Sequence, residues 1–364
     1  MLQNIDLREL SELRGNGRDV VSAYFSGEHG LSQLASRERH LRDLLEDDEM
    51  EAENFERSMQ RIRDLLADHS VRKAEGVCFF SSEVLDFARG YPISMPVPNR
   101  LIVGPAPFIR PLAELQDEYE TFAMVVCSND RTRIHLVTNE VTEVEAAIKG
   151  GIKNHVRKGG WSQQRYERRR DEQLSRYGED VSNELQQIVK DYDINRIVLL
   201  GSDESIRAIE EELPEQIAEK IVAREPFDLD RSKDEMLEAA YESYFEDERE
   251  SEIDLWERIK NYSMSDGRAV TGAEPTLQAA KIGRVEAAIV TRDAKQKGTR
   301  CPACDDVFAT QVDQCPECQS TDVFPVDLID AIARYLELTS ARIDFSDPIK
   351  GLTKCGDVAA LLRY

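Results

Sequence analysis

The stretch Lys158–Arg170 reads KGGWSQQRYERRR. Gly159 and Gly160 allow backbone angles that other residues resist, and they let a chain pass close to a substrate. Trp161 is one of only two tryptophans and stands in a polar, basic setting. Stacking on a nucleobase and packing onto its own domain both fit that position. Gln163 and Gln164 carry amides, which do not titrate near neutrality and so cannot act as general acid or base. A glutamine in a catalytic segment instead orients a water and supports a developing oxyanion by hydrogen bonding. Arg165, Arg168 and Arg169 follow at i, i+3 and i+4, one helix face suited to gripping phosphates. Taken alone, these residues describe an RNA-contacting segment whose chemistry stays open.

Charge sharpens the picture. Residues Lys149 to Arg176 hold nine basic and three acidic side chains, a local +6 in a chain of net charge −24, so the other 336 residues carry −30. A basic island in an acidic protein is the footprint of a local phosphate contact, and the blander reading is a solvated helix face. The average surface, by contrast, repels nucleic acid. With 13 Lys and 34 Arg against 71 acids, the composition suits a salt-adapted, halophile-type surface; an ordinary acidic protein is the alternative.

A length of 364 residues suits two or three domains, and 41% hydrophobic content supplies their cores. No apolar run is long enough for a membrane span. Asp6, Arg8, Glu9 and Glu12 at the N-terminus argue against a signal peptide. Seven scattered cysteines do not make a disulfide scaffold, which points to a reducing, cytoplasmic setting.

Along the chain, Val20–Phe25, Val77–Phe80 and Leu101–Val103 read as strands. Between the first two, Leu34, Leu41 and Leu45, then Phe55, Met59, Ile62 and Leu66, recur at helical spacing and predict a helical hairpin over 31–69. Six prolines between Gly90 and Pro111 predict a loop-rich exit. Phe122–Cys127 and Arg133–Val137 read as strands, followed by the basic glycine-containing loop. Leu174, Tyr177, Val181, Leu185 and Ile188 mark a long amphipathic helix. Arg196–Ser202 is a buried-strand pattern leading into a helix at Asp203, and Ile221-Val222 starts a further strand. A long helix, Met236 to Tyr262, opens a third unit. Strand Ala287–Thr291, helix Leu328–Leu338 and strand Ala341–Phe345 follow there. Strands alternating with helices imply an α/β (α+β multidomain) architecture of three domains, 1–118, 119–228 and 229–364.

Inside the third domain, Cys301-Pro302-Ala303-Cys304 and Cys315-Pro316-Glu317-Cys318 form two C-x2-C units ten residues apart, in an insertion over 299–325. Four thiolates on a short hairpin match the tetrahedral geometry of structural Zn²⁺ and leave no position for a reactive water. A redox pair or free thiols are the alternative. Asp305 and Gln319 stand where such knuckles often have glycine. Cys78, Cys127 and Cys355 read as small residues of apolar or terminal contexts.

The central stretch resembles the signature of the archaeal and eukaryotic class-1 peptide-chain release factors, GGQ followed by Ser and an Arg-aromatic-x-Arg helix. Gly159, Gly160, Ser162, Arg165, Tyr166 and Arg168 match that frame. Trp161 stands at the glutamine's place, and Gln163 appears two residues later. That GxxQ form resembles the Vms-type, release-factor-like peptidyl-tRNA hydrolases of ribosome quality control, and GGWSQQR their prokaryotic branch. The resemblance makes 119–228 a release-factor-like hydrolase domain and 229–364 a ribosomal-protein-L7Ae-like domain with a zinc mini-domain. Ala269-Val270-Thr271-Gly272 opens the latter and Ala359–Tyr364 closes it. Residues 1–118 show no NIKS-type decoding motif, and the hairpin over 31–69 departs from the termination factors.

The resemblance implies hydrolysis of the peptidyl-tRNA ester on a stalled ribosome or its large subunit, in the peptidyl-transferase centre. It assigns RNA contacts to Arg157, Lys158, Trp161, Arg165, Arg168 and Arg169, and close backbone approach to Gly159 and Gly160. Gln163 positions the attacking water, with Gln164 as second choice. A translational GTPase or splitting factor is the implied delivery partner. Rival readings are a non-hydrolytic A-site rescue or hibernation factor, a stop-codon release factor, a nuclease acting on the tRNA 3′ end, and a zinc-containing RNA-binding module without activity. None of the five histidines forms a convincing catalytic pair; His155 reads as an RNA-facing polar residue.

Overall fold

The N-terminal region builds a sheet from β1 (Val20–Ser26), β2 (Gly76–Ser82), β3 (Phe87–Ile93) and β4 (Arg100–Gly104). This computed structural model describes every residue except 1–4, 28–29, 68–73, 129–130, 139–140, 150–160, 229–230 and 266. The strands are antiparallel in the order β3-β2-β1-β4. Helices Ala35–Leu45 and Glu49–Leu66 fill the connection between β1 and β2. Their Leu41, Leu45, Phe55, Met59 and Ile62 pack against Val21, Ala23, Phe25, Val77 and Phe79 of the sheet. Each such side chain, fully buried, is worth about 1.5–3 kcal/mol, so the hairpin is one wall of this core. Asp48 caps its second helix by accepting from the N–H groups of Met50 and Glu51. Arg42 and Arg63 both meet the buried carboxylate of Glu38. One expectation fails in part: besides the expected strand at Leu101–Val103, the proline-rich stretch takes in the end of β3. β3, with Gly90 and Pro92, is an edge strand, where proline is tolerated.

The middle sheet has β5 (Phe122–Cys127), β6 (Arg131–Val137), β7 (Val141–Lys149), β8 (Ile197–Gly201) and β9 (Ile221–Pro226), in the order β7-β6-β5-β8-β9. β5 pairs in parallel with β8, and β8 with β9. β5 and β8 are buried at every position, since helices cover both faces. On one face, Tyr177, Val181, Leu185 and Ile188 of helix Trp161–Asp191 join Ile206 and Ile209 of helix Asp203–Glu210 over Val125 and Leu199. Ser202 caps the second of these helices. On the other face, Tyr244 stacks on Phe122 at 4.7 Å between ring centroids, with Ala240 and Tyr241 beside it. β7 was not expected from sequence; it pairs with β6 through two register shifts.

The two helices over this sheet approach closely because Ser175, Gly178 and Ser182 face the second one. The Ser182 hydroxyl donates to the Glu212 carbonyl at 2.8 Å and Ser175 to the Glu212 carboxylate at 2.7 Å. A Cβ on Gly178 would lie 2.2 Å from the Ala208 carbonyl oxygen. Alanine is otherwise favoured over glycine in a helix by about 1 kcal/mol. Here Gly178→Ala is expected to destabilise by about 1–3 kcal/mol, measurable by urea unfolding; a gain in stability would contradict this packing.

The C-terminal region holds β10 (Ala269–Thr271), β11 (Val285–Thr291), β12 (Lys297–Cys301), β13 (Asp306–Phe308), β14 (Phe324–Asp327), β15 (Arg342–Ser346) and β16 (Val358–Leu362). They form a mixed sheet, β10-β16-β11-β15, and a small antiparallel one, β13-β12-β14. Helix Leu328–Leu338, capped by Asp327, follows the small sheet. Helix Lys233–Ser265 was expected to open this region. Its first half, Met236 to Phe245, belongs instead to the middle core, while Leu255, Trp256 and Ile259 enter the core of the mixed sheet.

Two compact units result: Tyr119–Ser251, and a second containing Met1–Glu118 with Glu252–Tyr364. In the second unit, the N- and C-terminal regions keep separate sheets but are joined by buried polar groups. Arg110 donates to the carbonyls of Ala294 and Arg292, each at 2.7 Å. One oxygen of Asp330 accepts from the N–H groups of Ile109 and Arg110 at 2.8 and 2.9 Å. Asp117 accepts from the Phe345 N–H at 2.7 Å. Burial nevertheless raises the Asp330 pKa to about 7. Among the described residues, no helix is long and apolar enough to cross a membrane.

Candidate functional site

Two places carry the chemistry expected from sequence, one in each unit. The first is the N-terminal end of helix Trp161–Asp191, which has no acidic residue in its first turn. Trp161, Gln163 and Gln164 therefore lie in the opening turns of a helix rather than in an irregular loop. Arg165, Arg168 and Arg169 lie within its first three turns. Gly159, Gly160, Arg157, Lys158 and His155 lie outside the described residues.

The helix is anchored downstream of this segment. Among its described side chains, Leu174, Tyr177, Val181, Leu185 and Ile188 pack on the core. The Tyr177 hydroxyl reaches the Ser128 carbonyl at 3.0 Å and also bonds to Thr132, tying the helix to β6 and its turn. A helix start concentrates partial positive charge from its free N–H groups and favours anions. With Arg165, Arg168 and Arg169 in its first turns, this helix start is a cationic segment by sequence. His135, on β6, is buried, and its pKa is lowered by that burial and by nearby Arg133 and Lys233.

The second place is the cysteine hairpin. The Sγ atoms of Cys301, Cys304, Cys315 and Cys318 all lie within 4.8 Å of one another. Cys301 to Cys318 and Cys304 to Cys315 are each 3.5 Å apart. Four Zn–S bonds of about 2.3 Å in a tetrahedron space the sulfurs by about 3.8 Å, so the four cysteines could hold a metal ion such as zinc. Cys301 closes β12 and pairs with Asp306, so the first knuckle is the turn of a β-hairpin. The second knuckle is closed by Cys315 N–H to the Ser320 carbonyl at 2.8 Å and Gln319 N–H to the Cys315 carbonyl at 2.9 Å. Although burial opposes it, N–H donors from Cys318 and Glu317 hold the Cys315 thiol down at about 7, favouring the thiolate a metal needs.

The absence of knuckle glycines now has a structural counterpart. Asp305 and Gln319 take φ of 57° and 59°, the left-handed region glycine enters without penalty. Asp305 is compensated by ion pairs with Arg14, at 2.7 Å, and with Arg300. The exposed Gln319 has no side-chain ion pair of this kind. Gln319→Gly is therefore expected to stabilise the insertion by about 0.5–1 kcal/mol, read as a rise in the denaturation midpoint of the metal-loaded protein; a fall would refute the strain.

Comparison with known proteins gives consistent similarities. Residues 107–243 match the family described as Bacterial archaeo-eukaryotic release factor family 10. The chain is 21% identical to Peptide chain release factor subunit 1 of Methanococcoides burtonii, over 98% of this chain and 95% of that protein. It is 20% identical to the protein of the same name from Pyrococcus abyssi, over 98% and 96%. Among solved structures, a chain from ribosome-bound archaeal Pelota and ABCE1 aligns with 78% of this chain and 74% of its own, at 14% identity and a TM-score of 0.45. The matched family region contains the helix Trp161–Asp191 and the sheet beneath it, and the full-length relatives are termination factors by name. Residues 107–243 are thus similar to a release-factor family, and over nearly its whole length the chain is similar to archaeal Peptide chain release factor subunit 1.

Proposed function

We propose that the protein is a ribosome-dependent peptidyl-tRNA hydrolase that frees nascent peptides from stalled complexes. One observation carries this: Trp161–Arg165 of the GGWSQQR segment open a long helix that packs on the core at Leu174, Tyr177 and beyond, within the region matched by the release-factor family. The basic tip enters the peptidyl-transferase centre, where Arg157, Lys158, Arg165, Arg168 and Arg169 meet RNA phosphates and Trp161 contacts a base. Gly159 and Gly160 allow the backbone to approach the terminal adenosine. Gln163, with Gln164 as second choice, orients the water that attacks the ester carbonyl and donates to the developing oxyanion. No protein triad takes part; ribosomal RNA supplies the rest of the preorganised surroundings.

The three regions divide the work as three domains, 1–118, 119–228 and 229–364. The last is L7Ae-like and carries Zn²⁺ as a structural ion on Cys301, Cys304, Cys315 and Cys318. Zinc bound by four thiolates supplies rigidity and no reactive water. A translational GTPase or splitting factor delivers the protein.

Trp161 at the place of the family's glutamine favours a second reading, a non-hydrolytic A-site rescue factor. Incubation with ribosome–nascent-chain complexes, followed by analysis of both products, separates them. Free peptide with an intact tRNA 3′ end is the expected result. Peptide still joined to nucleotides would mean tRNA cleavage, and unchanged peptidyl-tRNA would mean rescue without hydrolysis.

A further inference from the structure

Helix Trp161–Asp191 carries its glutamines at one end and is gripped well short of that end. Gln163 precedes Tyr177 by fourteen residues, a lever of about 21 Å at ~1.5 Å per residue. A tilt of about 5° at the grip would move residue 163 by about 2 Å, and roughly 1 Å of misplacement can cost a catalytic group about 10²-fold. Whatever holds the angle of this helix therefore bears on the reaction.

Leu174, Val181, Leu185 and Ile188 press the helix onto the sheet, but apolar contacts are non-directional and leave tilt and rotation soft. Hydrogen bonds are directional. Ser175 donates to the Glu212 carboxylate at 2.7 Å. Tyr177, two residues on and so about 200° around the axis, is tied on the opposite flank. Its hydroxyl has one proton, donated to the Ser128 carbonyl at 3.0 Å, so it accepts from the Thr132 hydroxyl. The anchor is stiff: the Ser128 N–H closes the β5–β6 turn onto the Arg131 carbonyl at 2.9 Å, and Thr132 is paired with Cys127 across the sheet. Tyr177 is 4% exposed and Thr132 fully buried, so these bonds are made in a low-dielectric setting that strengthens them.

We infer that the Tyr177 hydroxyl is a positioning group for peptide release: it sets the direction in which this helix presents its glutamines to the ester. Tyr177 touches no substrate in this role, which presupposes the hydrolase reading above.

Variants of the full chain test it. Tyr177→Phe keeps the ring in the core and strands the Thr132 hydroxyl, so Tm should fall. Tyr177→Phe/Thr132→Val removes both hydroxyls, and most of the lost Tm should return, since a buried pair can be replaced by apolar groups at little cost. Peptide release should not return with it. In both variants kcat on ribosome–nascent-chain complexes should be about tenfold lower. The half-saturating concentration should stay within about twofold of the unaltered protein's, because arginine–phosphate attraction tolerates small displacements. Added to the slower of Gln163→Ala and Gln164→Ala, Tyr177→Phe should slow release no further, since a removed amide needs no aiming. Release that recovers together with Tm would make Tyr177 merely structural and overturn the role. So would a change confined to the half-saturating concentration, or a full tenfold loss on top of the glutamine variant. Full release by both glutamine variants, or none by the unaltered chain, would bring down the hydrolase reading itself and this role with it.

Discussion

Gln163→Ala is expected to slow peptide release from ribosome–nascent-chain complexes by about 10²–10³-fold, the usual cost of losing one oriented donor at a reacting carbonyl. Stability should hardly change, because the helix is held by its core contacts at Leu174, Tyr177, Val181, Leu185 and Ile188. Single-turnover release and a thermal melt on the same preparation separate the two effects. Gln164→Ala, one position on, should cost less than tenfold if Gln163 orients the water. The opposite ranking would move the role to Gln164, and full release by both variants would remove glutamine from the mechanism. An amide does not titrate, so the residual activity should keep the pH profile of the unaltered protein.

Metal removal should act on the other unit. Chelation, or Cys315→Ser, is expected to destabilise the insertion by more than about 4 kcal/mol, because metal binding in such a small element is most of its folding energy. Its own apolar content is slight: Val307 is buried beside Cys301 and Cys315. Loss of one zinc per chain by atomic absorption should coincide with loss of a denaturation transition. Peptide release should fall only a few-fold, since the helix Trp161–Asp191 belongs to a different compact unit. A thousand-fold loss on chelation would make the metal part of the reaction and sink the structural assignment.

Some of this fold was legible in the sequence, and the legible parts share a cause. Phe122–Cys127, Ile197–Gly201 and Leu328–Leu338 are covered on two faces or on one broad stripe, so burial imposes apolar runs or a clear period. β3 was hidden because its residues, Phe87–Ile93, include Arg89, Gly90 and Pro92 and are held as an edge by backbone bonds. β7 alternates too weakly to stand out from the basic segment after it. The helix Lys233–Ser265 misled because its residues serve two cores in succession. The joining of the N- and C-terminal regions left no pattern at all, since Arg110 and Arg334 bond to carbonyls 182 or more residues away. Of the candidate sites, the cysteine set was readable because metal ligation fixes residue type and spacing together. The convergence of Arg14, Arg300 and Asp305 on one cavity depends on folding alone.

The hairpin between β1 and β2 also sets an order of events as the chain folds. β2 and β3 are joined by a tight turn and can zip locally, whereas β1 must find β2 across roughly fifty residues. Loop-closure entropy grows only slowly with length, by about 0.6 kcal/mol per doubling, so equilibrium stability suffers little. The rate is another matter, because long-range strand pairing is slow unless something shortens the search. Two helices joined by ion pairs, the second capped by Asp48 and presenting Phe55, Met59 and Ile62 to Val21 and Phe25, provide that shortcut. This packing therefore favours capture of β1 after the helices have formed, an order that slowed folding of Ile62→Ala with little change in its unfolding rate would support.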